Sequence, residues 1–139
     1  MSDISVIIPT YQHGETIGRC LESVFAQTLQ PKEVIVVNDG STDNTASILS
    51  AFGGQIIVID QENQGPHISR NNGFERSTGS QIIFCDADVI MNKTMLEKLS
   101  GALQDNPEAA YAYSAFRFGW KKFSSFAFDA ERLKRLNFI

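Results

Sequence analysis

Two aspartates spaced two residues apart, Asp86 and Asp88, form the sharpest chemical motif of this 139-residue sequence. They follow an apolar run over residues 81–85 that is typical of a buried β-strand. Side chains at positions i and i+2 of an extended segment point the same way, so both carboxylates can share one divalent cation. Carboxylate and phosphate oxygens are the usual ligands of Mg²⁺ and Mn²⁺ in nucleotide sites. The pair predicts a cation that carries a phosphorylated ligand, although an acidic turn explains so short a motif equally well.

Residues that can hold a nucleotide follow two earlier apolar runs. Pro9, Thr10 and Tyr11 come after the first run, and the tyrosine ring can stack on a base. Asp39 comes after the second run, where a carboxylate can accept hydrogen bonds from a base or a ribose. Arg70 lies near the start of a predicted helix, where it can face a phosphate. Taken singly, each of three residues also has an ordinary structural explanation: Tyr11 as a surface tyrosine, Asp39 as a turn aspartate and Arg70 as a solvated arginine.

The elements that position these residues alternate between strand and helix. Predicted strands cover residues 4–9, 34–37, 55–59 and 81–85, with amphipathic helices over about 17–27, 43–52, 66–76 and 95–103. Strands this apolar are expected to have no solvent-exposed face. They therefore predict a parallel sheet between two layers of helices, which is a three-layer α/β/α fold. Ligands bind at the carboxyl ends of such strands, where Asp39, Asp60 and Asp86 lie. A further strand over 110–118 and a short helix over 130–136 complete the prediction.

Composition excludes several classes of protein. A net charge of −4 gives no reason to expect a nucleic-acid partner. No apolar run approaches the roughly 18 residues of a membrane span, and no secretory leader is visible, so we expect a cytoplasmic protein. Cys20 and Cys85 fall inside apolar elements, which predicts buried free thiols. The turn after the first strand lacks the glycine-rich pattern of dinucleotide-binding folds.

Two long stretches resemble family 2 glycosyltransferases. SVIIPTYQHGETIGRCLESVFAQTLQPKEVIVVNDGSTDNT, residues 5–45, is similar to the opening of that family. GPHISRNNGFERSTGSQIIFCDADV, residues 65–89, is similar to the segment with its Arg-Asn-x-Gly and D-x-D motifs. The resemblance implies the Rossmann-like GT-A fold, with a mainly parallel central sheet. It also implies metal-dependent, inverting transfer of a sugar from a nucleotide-diphosphate donor, a UDP-sugar by family frequency, to a saccharide or lipid-linked acceptor.

The resemblance also implies roles for individual residues. Pro9, Thr10 and Tyr11 would line the nucleoside pocket, with Tyr11 against the base. Asp39 would hydrogen-bond the base, and Arg70 would contact the base or the phosphates.

The D-x-D pair would serve the phosphate side of the same donor. Asp86 would lie against the ribose and the metal region, and Asp88 would be the direct ligand of Mn²⁺ or Mg²⁺. That cation would bridge both phosphates and stabilise the departing nucleoside diphosphate.

The last 51 residues, after Asp88, depart from the family pattern. Inverting relatives use an Asp or Glu as general base, well beyond the D-x-D motif, and no carboxylate here has the expected surroundings. We therefore assign no catalytic residue and expect the chain to stop before the acceptor region. Residues 1–110 would form the nucleotide-diphosphate-sugar-binding domain, and residues 111–139 the incomplete start of the acceptor-side region.

The segment 111–139 differs in composition from the rest. It holds six Lys and Arg against two Asp and Glu, and 9 of the 14 aromatic residues. Such a surface, left without covering elements, predicts a homo-oligomer contact through residues 111–139. In a full-length protein acting on lipid-linked glycans, the same enzyme would be peripheral to a membrane.

Two other functions stay open at this point. Residues 81–90 also resemble the first motif of haloacid-dehalogenase-type phosphatases, with Asp86 as nucleophile and Asp88 as general acid. That hypothesis needs a later lysine and a later aspartate pair, which Lys93, Lys98 and a tail without Asp-Asp do not satisfy. In those phosphatases the motif also normally follows the first strand, whereas here it follows the fourth. The missing base also suits a nucleotide-binding module that is catalytically incomplete.

Overall fold

A computed structural model describes residues 2–114, 116–118 and 121–123, with side chains for 2–114. The chain divides into two compact units, Met1–Gly101 and Ala102–Ile139. The strands are β1 (Ile4–Thr10), β2 (Glu33–Asp39), β3 (Ile57–Gln61), β4 (Gln81–Phe84), β5 (Phe116–Phe118) and β6 (Lys121–Phe123). The helices are α1 (Ile17–Phe25), α2 (Thr45–Ala51), α3 (Pro66–Arg76) and α4 (Met95–Asp105), with a 3₁₀ turn at Gly53–Gln55. Among the described residues no helix is both long and apolar enough to cross a bilayer.

Strands β1 to β4 form one parallel sheet in the order β3-β2-β1-β4. Strand β1 is central: Ser5 lies opposite Glu33 of β2 and opposite Ile82 of β4. The chain steps outward from β1 to β3 and then crosses to the other side of β1 for β4. The strand order therefore switches beside β1, which is where a ligand crevice opens in such sheets. The predicted parallel α/β sheet is confirmed.

Strand β1 is buried along its whole length because its alternate side chains meet different helix layers. Val6 and Ile8 belong to a core cluster that also contains Ile17 and Leu21 of α1. Ile7 points to the other face, toward α3. Helices on both faces explain the unbroken apolar run of β1 and confirm the three-layer arrangement.

The edge strands depart from the prediction. Val58 of β3 and Phe84 of β4 are 39% and 48% exposed. Among the described residues, β3 and β4 are the two edges of the sheet, so each has a hydrogen-bonded neighbour on one side alone. The expectation that all four strands lack a wet face is wrong for β3 and β4.

Several predicted boundaries also shift. Strand β3 begins at Ile57 instead of residue 55, since the 3₁₀ turn at Gly53–Gln55 delays it. Thr45 and Leu49 form the buried side of α2, and Ala46 is exposed. The predicted start of α3 at Pro66 is confirmed, as are the buried free thiols of Cys20 and Cys85.

The C-terminal predictions are only partly covered by the structure. Residues 110–114 form no strand, so the predicted strand over 110–118 is wrong there. A short strand does lie at Phe116–Phe118 and pairs antiparallel with Lys121–Phe123. The predicted helix over 130–136 and most of the expected oligomer contact lie outside the described residues. The proposed domain boundary at residue 110 stays a prediction.

Gly73 should be intolerant of a side chain. A Cβ at Gly73 would overlap Ile7 Cγ2 of β1 and come within 3.3 Å of Val37 Cγ2 of β2. In an open helix, Gly→Ala stabilises by about 0.5–1 kcal/mol, but overpacking costs about 1–3 kcal/mol. We predict that Gly73→Ala lowers the free energy of unfolding, measured by urea denaturation.

The matched control is Gly101→Ala in α4. A Cβ there meets nothing within 4 Å among the described residues, so we expect a gain of up to about 1 kcal/mol. Similar gains in both variants would contradict the close packing of α3 on the sheet.

Candidate functional site

A cavity of about 490 Å³ opens at the carboxyl ends of β1, β2 and β4. Its volume lies within the ~300–1,000 Å³ typical of small-molecule sites. All seven residues predicted to bind the nucleotide or the metal line this one cavity: Pro9, Thr10, Tyr11, Asp39, Arg70, Asp86 and Asp88. His13 and Asn63, for which no role was predicted, lie on its wall as well. Residues from four separate stretches of the chain thus converge where the strand order switches.

Asp60, expected at the same edge, is not on the cavity wall. Its Oδ1 accepts a hydrogen bond from Asn38 Nδ2 at 2.8 Å. In the parallel register, Asn38 lies opposite Asp60 and Asp39 lies opposite Gln61. Because side chains alternate along a strand, Gln61 shares a face with Asp39 and Asp60 does not. The carboxylates of the cavity therefore come from β2 and from the segment after β4.

The end of β1 supplies a buried hydroxyl and an exposed ring. Thr10 is 2% exposed, and its Oγ1 has no hydrogen-bond partner among the described residues. Leaving a buried hydroxyl unpaired costs about 1–3 kcal/mol, so most such groups in proteins are paired. Tyr11 is 46% exposed beside it. The unpaired Thr10 hydroxyl is what we expect of a site in which a bound ligand supplies the missing hydrogen-bond partner.

Gln12 fixes the turn that presents Tyr11. Its backbone has φ 58°, which is rare for a non-glycine residue and costs about 1–2 kcal/mol. Its Oε1 accepts the backbone N–H groups of Thr42 and Asp43 at 2.9 and 3.1 Å, and its Nε2 donates to Thr42 Oγ1 at 2.9 Å. These bonds join the turn after β1 to the turn after β2. No sequence pattern marked Gln12 for this role.

Asp39 is a buried carboxylate with three donors around it. Its Oδ1 accepts from Gln61 Nε2 at 2.7 Å and from the Gln64 N–H at 2.8 Å, and its Oδ2 accepts from the Gly65 N–H at 2.9 Å. Burial raises the pKa of this carboxyl, but the hydrogen bonds to Gln64, Gln61 and Gly65 outweigh burial and hold the pKa below its usual range. The group is therefore an anionic acceptor at neutral pH.

The turn after β2 also needs a glycine. Gly40 has φ 74°, and a Cβ there would come within 2.9 Å of the Asn63 backbone nitrogen. Glycine adopts this left-handed conformation without strain. The close approach brings the loop between β3 and α3, including Asn63, to the cavity wall.

Asp86 and Asp88 point toward the cavity from the segment after β4. Ala87 between them is buried, while both aspartates are exposed, and all three residues line the cavity. The expectation of an extended segment is wrong here, because residues 86–89 form a turn in which the Val89 N–H donates to the Asp86 carbonyl at 3.0 Å. Arg70 Nη2 lies 2.8 Å from Asp86 Oδ1, an ion pair that the sequence did not predict. An exposed pair of this kind contributes about 0–1 kcal/mol, so a ligand can readily displace it.

The D-x-D pair fits a cation that arrives with phosphates. Within the described part of the chain, no cluster of three or more His, Cys, Asp or Glu side chains is arranged to hold a metal by itself. Mg²⁺ commonly binds through one or two carboxylates plus substrate phosphates, and Mn²⁺ prefers the same oxygen ligands. Asp86 and Asp88 supply that number of carboxylates.

Helix α1 and Gln27, two residues beyond its end, hold the segment that follows the D-x-D pair. Ser23 Oγ accepts the Met91 N–H at 3.0 Å. Gln27 donates through Nε2 to the Asn92 carbonyl at 2.8 Å and accepts the Leu96 N–H through Oε1 at 3.0 Å. The Gln27 side chain is buried, so an apolar residue would leave both backbone groups unpaired. The positions of Asp86 and Asp88 thus depend on a helix far away in sequence.

Comparison with known proteins identifies the family. Residues 5–137 match the family described as Glycosyl transferase family 2. The chain belongs to this family. Its α/β fold is the GT-A fold that the sequence resemblance implied.

Individual relatives agree with this assignment. The chain is 39% identical to "Uncharacterized glycosyltransferase YibD" of Escherichia coli K12 over 111 residues, covering 77% of this chain and 32% of that protein. It superposes on S. aureus TarS 1-349 in complex with UDP with a TM-score of 0.70 and 30% identity, covering 77% of this chain and 33% of TarS 1-349. The complex of TarS 1-349 with UDP-GlcNAc gives a TM-score of 0.67, 28% identity and coverage of 77% and 32%. The chain thus spans about a third of the length of these relatives.

Asp39 should make the stability of the fold depend on pH. Its pKa is lower in the folded than in the unfolded chain, so its charge stabilises the fold above the ordinary pKa of 3.8, and this stabilisation is lost as the pH falls through the lowered pKa. Asp39→Asn replaces the charged carboxylate with a neutral amide. The NH₂ group of that amide would then face one of the N–H donors that the carboxylate accepts. We predict that it lowers the free energy of unfolding by about 1.5–3 kcal/mol near pH 7.

Urea denaturation at about pH 7 and about pH 3 measures this loss, which should shrink at the lower pH. Asp105→Asn, at the exposed end of α4, controls for removal of one negative charge. An equal loss at both pH values would show that the charge of Asp39 does not contribute.

Proposed function

We propose that this site binds the nucleoside diphosphate of a sugar donor, a UDP-sugar, together with Mn²⁺ or Mg²⁺. The parent activity would be inverting transfer of the sugar to a saccharide or lipid-linked acceptor. The observation that carries the proposal is the convergence in one cavity of an aromatic ring, a buried carboxylate, an arginine and the D-x-D pair. Four stretches of sequence supply these groups, so their meeting is a property of the fold.

The base would occupy the side of the cavity formed by β1 and β2. Tyr11 offers a ring for stacking, and Asp39 offers an anionic acceptor. Uracil carries an N3–H that such an acceptor can take, and guanine and thymine carry comparable N–H groups. The UDP complex of TarS, at 30% identity, favours uracil among them.

The diphosphate would occupy the side formed by Arg70 and the D-x-D pair. The cavity wall carries three carboxylates, Asp39, Asp86 and Asp88, and one arginine. A diphosphate would be repelled by this excess of negative charge unless a divalent cation bound with it. When bound, the cation would stabilise the charge that develops on the departing nucleoside diphosphate. Asp88 and Asp86 would hold it, and Arg70 would bind phosphate oxygen.

Other parts of the proposal rest on the sequence alone. No general base is assigned, so a nucleotide-binding module without transfer activity is the alternative function. The homo-oligomer contact through residues 111–139 and the cytoplasmic location also stay predictions.

Nucleotide binding should require the cation and Asp88. We predict that the chain binds UDP with Mn²⁺ and binds it at least about 10-fold more weakly in EDTA, as measured by titration calorimetry. GDP and dTDP, titrated in parallel, identify the base. Asp88→Asn should reproduce the loss in EDTA, since an amide is a poor ligand for a hard cation.

Asp60→Asn is the matched control, because it removes the carboxylate at a strand end outside the cavity wall. It should bind UDP as the unchanged chain does. UDP binding that is as tight in EDTA as in Mn²⁺ would contradict the metal site. No binding of any nucleotide by the folded chain would contradict the proposed function.

Thr10 should matter for binding and not for folding. Thr10→Val removes a buried hydroxyl that has no partner, so the free energy of unfolding should stay level or rise by about 1 kcal/mol. If the hydroxyl pairs with the nucleotide, UDP affinity should fall by about 5-fold or more. Urea denaturation and calorimetry on one preparation measure both effects.

Thr45→Val supplies the opposite pattern. Thr45 is equally buried, but its Oγ1 already accepts the His13 N–H at 3.2 Å, and it does not line the cavity. This variant should lose stability and, once folded, bind UDP normally. A Thr10→Val variant that loses stability while binding UDP normally would assign the Thr10 hydroxyl to the fold.

A further inference from the structure

A chain of three side chains leads from α3 to the cavity wall. Asn72 Nδ2 donates to Gln61 Oε1 at 2.7 Å, and Gln61 Nε2 donates to Asp39 Oδ1 at 2.7 Å. Among the three, Asp39 alone lines the cavity. Gln61 and Asn72 therefore lie behind the wall. Gln61 reaches the wall through Asp39 at 2.7 Å and, at a longer 3.4 Å, through Ser69 Oγ.

The chemistry of Asp39 sets the direction of the whole chain of hydrogen bonds. An ionised carboxylate only accepts, so Gln61 must turn its NH₂ group toward Asp39. The carbonyl of Gln61 then faces α3, where an acceptor needs a donor. Asn72 supplies that donor through its own NH₂ group. Each amide has one satisfactory orientation.

These contacts leave one acceptor position on Asp39. A carboxylate has about four lone-pair sites. Gln61 and the Gln64 N–H occupy both on Oδ1, and the Gly65 N–H occupies one on Oδ2. The Ser69 hydroxyl also lies close enough to lower the pKa of Asp39, but it donates its proton to the Gly65 carbonyl at 3.0 Å. With Asp39 only 3% exposed, the remaining site on Oδ2 is poorly served by bulk water and suits one ligand N–H.

We propose that Gln61 and Asn72 are positioning residues for nucleobase recognition, which hold the Asp39 carboxylate with one Oδ2 lone pair directed at an N–H of the base. This inference rests on the function proposed above. It adds that the choice of base depends on two amides that never touch the nucleotide.

Gln61→Glu tests the inference through its pH dependence. Near pH 7.5 the new carboxylate would face Asp39 and repel it, and we expect UDP affinity in Mn²⁺ to fall about 10-fold or more. Near pH 5 the two carboxylates can share a proton, so that the new side chain donates to Asp39 as the amide did. The ratio of variant to unchanged affinity should therefore recover as the pH falls. Loss of a purely structural contact would show no such recovery.

Inorganic pyrophosphate with Mn²⁺ is the second probe, because it contains no base. Its affinity, measured by calorimetry, should be the same in Gln61→Glu and in the unchanged chain. Gln55→Glu adds the same charge at an exposed residue of the 3₁₀ turn and should bind both probes normally. Asn72→Asp keeps the test available if Gln61→Glu does not fold. It removes the donor to Gln61, and we expect about a 3- to 10-fold loss for UDP alone.

The outcomes separate the inference from the function beneath it. Normal UDP affinity in both variants would overturn the inference and leave the proposed function intact. A parallel loss of UDP and pyrophosphate would also overturn it, since the site as a whole would then be distorted. Failure of the unchanged chain to bind UDP would overturn the proposed function and the inference together.

Discussion

A buried carboxylate must be surrounded by donors, and in this protein that requirement shapes the cavity. Asp39 ends the buried strand β2, and an unpaired charge there would cost several kcal/mol. The loop after β3 meets this cost by turning the backbone N–H groups of Gln64 and Gly65 toward the carboxylate. Helix α3 begins at the next residue, Pro66, so the same contact fixes where this helix starts. Arg70 reaches the cavity from the first turns of that helix.

The other walls of the cavity are held in the same manner, by polar side chains that cross between elements. Gln12 joins the turns after β1 and β2, and Gln27 joins α1 to the segment after the D-x-D pair. Each replaces backbone contacts that irregular segments cannot make with one another. Loops tied down in this way lose little further freedom when a ligand binds, so less of the binding energy is spent on ordering them. The order of the site thus comes from side chains outside the recognised motifs.

Seven residues that line the cavity could be predicted from the sequence, whereas the side chains that hold its walls in place could not. Apolar runs predicted the strands and their carboxyl ends, and the family resemblance assigned the site residues, all seven of which line one cavity. The supporting roles of Gln12 and Gln27 could not be predicted, because a single polar residue forms no periodic pattern or spaced motif. Its hydrogen-bond partner is known only once the fold has brought distant segments together. Asp60 shows the same limit, since an apolar run reveals a strand end but not which face each residue takes. The edge positions of β3 and β4 could not be predicted for a similar reason, because an apolar run does not indicate which strands will pair with it.

The ion pair between Arg70 and Asp86 links the two halves of the proposed ligand. In the structure each charge compensates the other across 2.8 Å. If the proposed function is correct, a cation would replace Arg70 as the partner of Asp86, and a phosphate would replace Asp86 as the partner of Arg70. A cation alone would leave Arg70 without its partner and facing like charge, and a phosphate alone would do the same to Asp86. Either ligand component therefore improves the site for the other, and by linkage the gain is equal in both directions. The excess of carboxylates in the cavity acts on the separate affinities instead: the phosphate alone meets net repulsion and should bind more weakly than the cation alone.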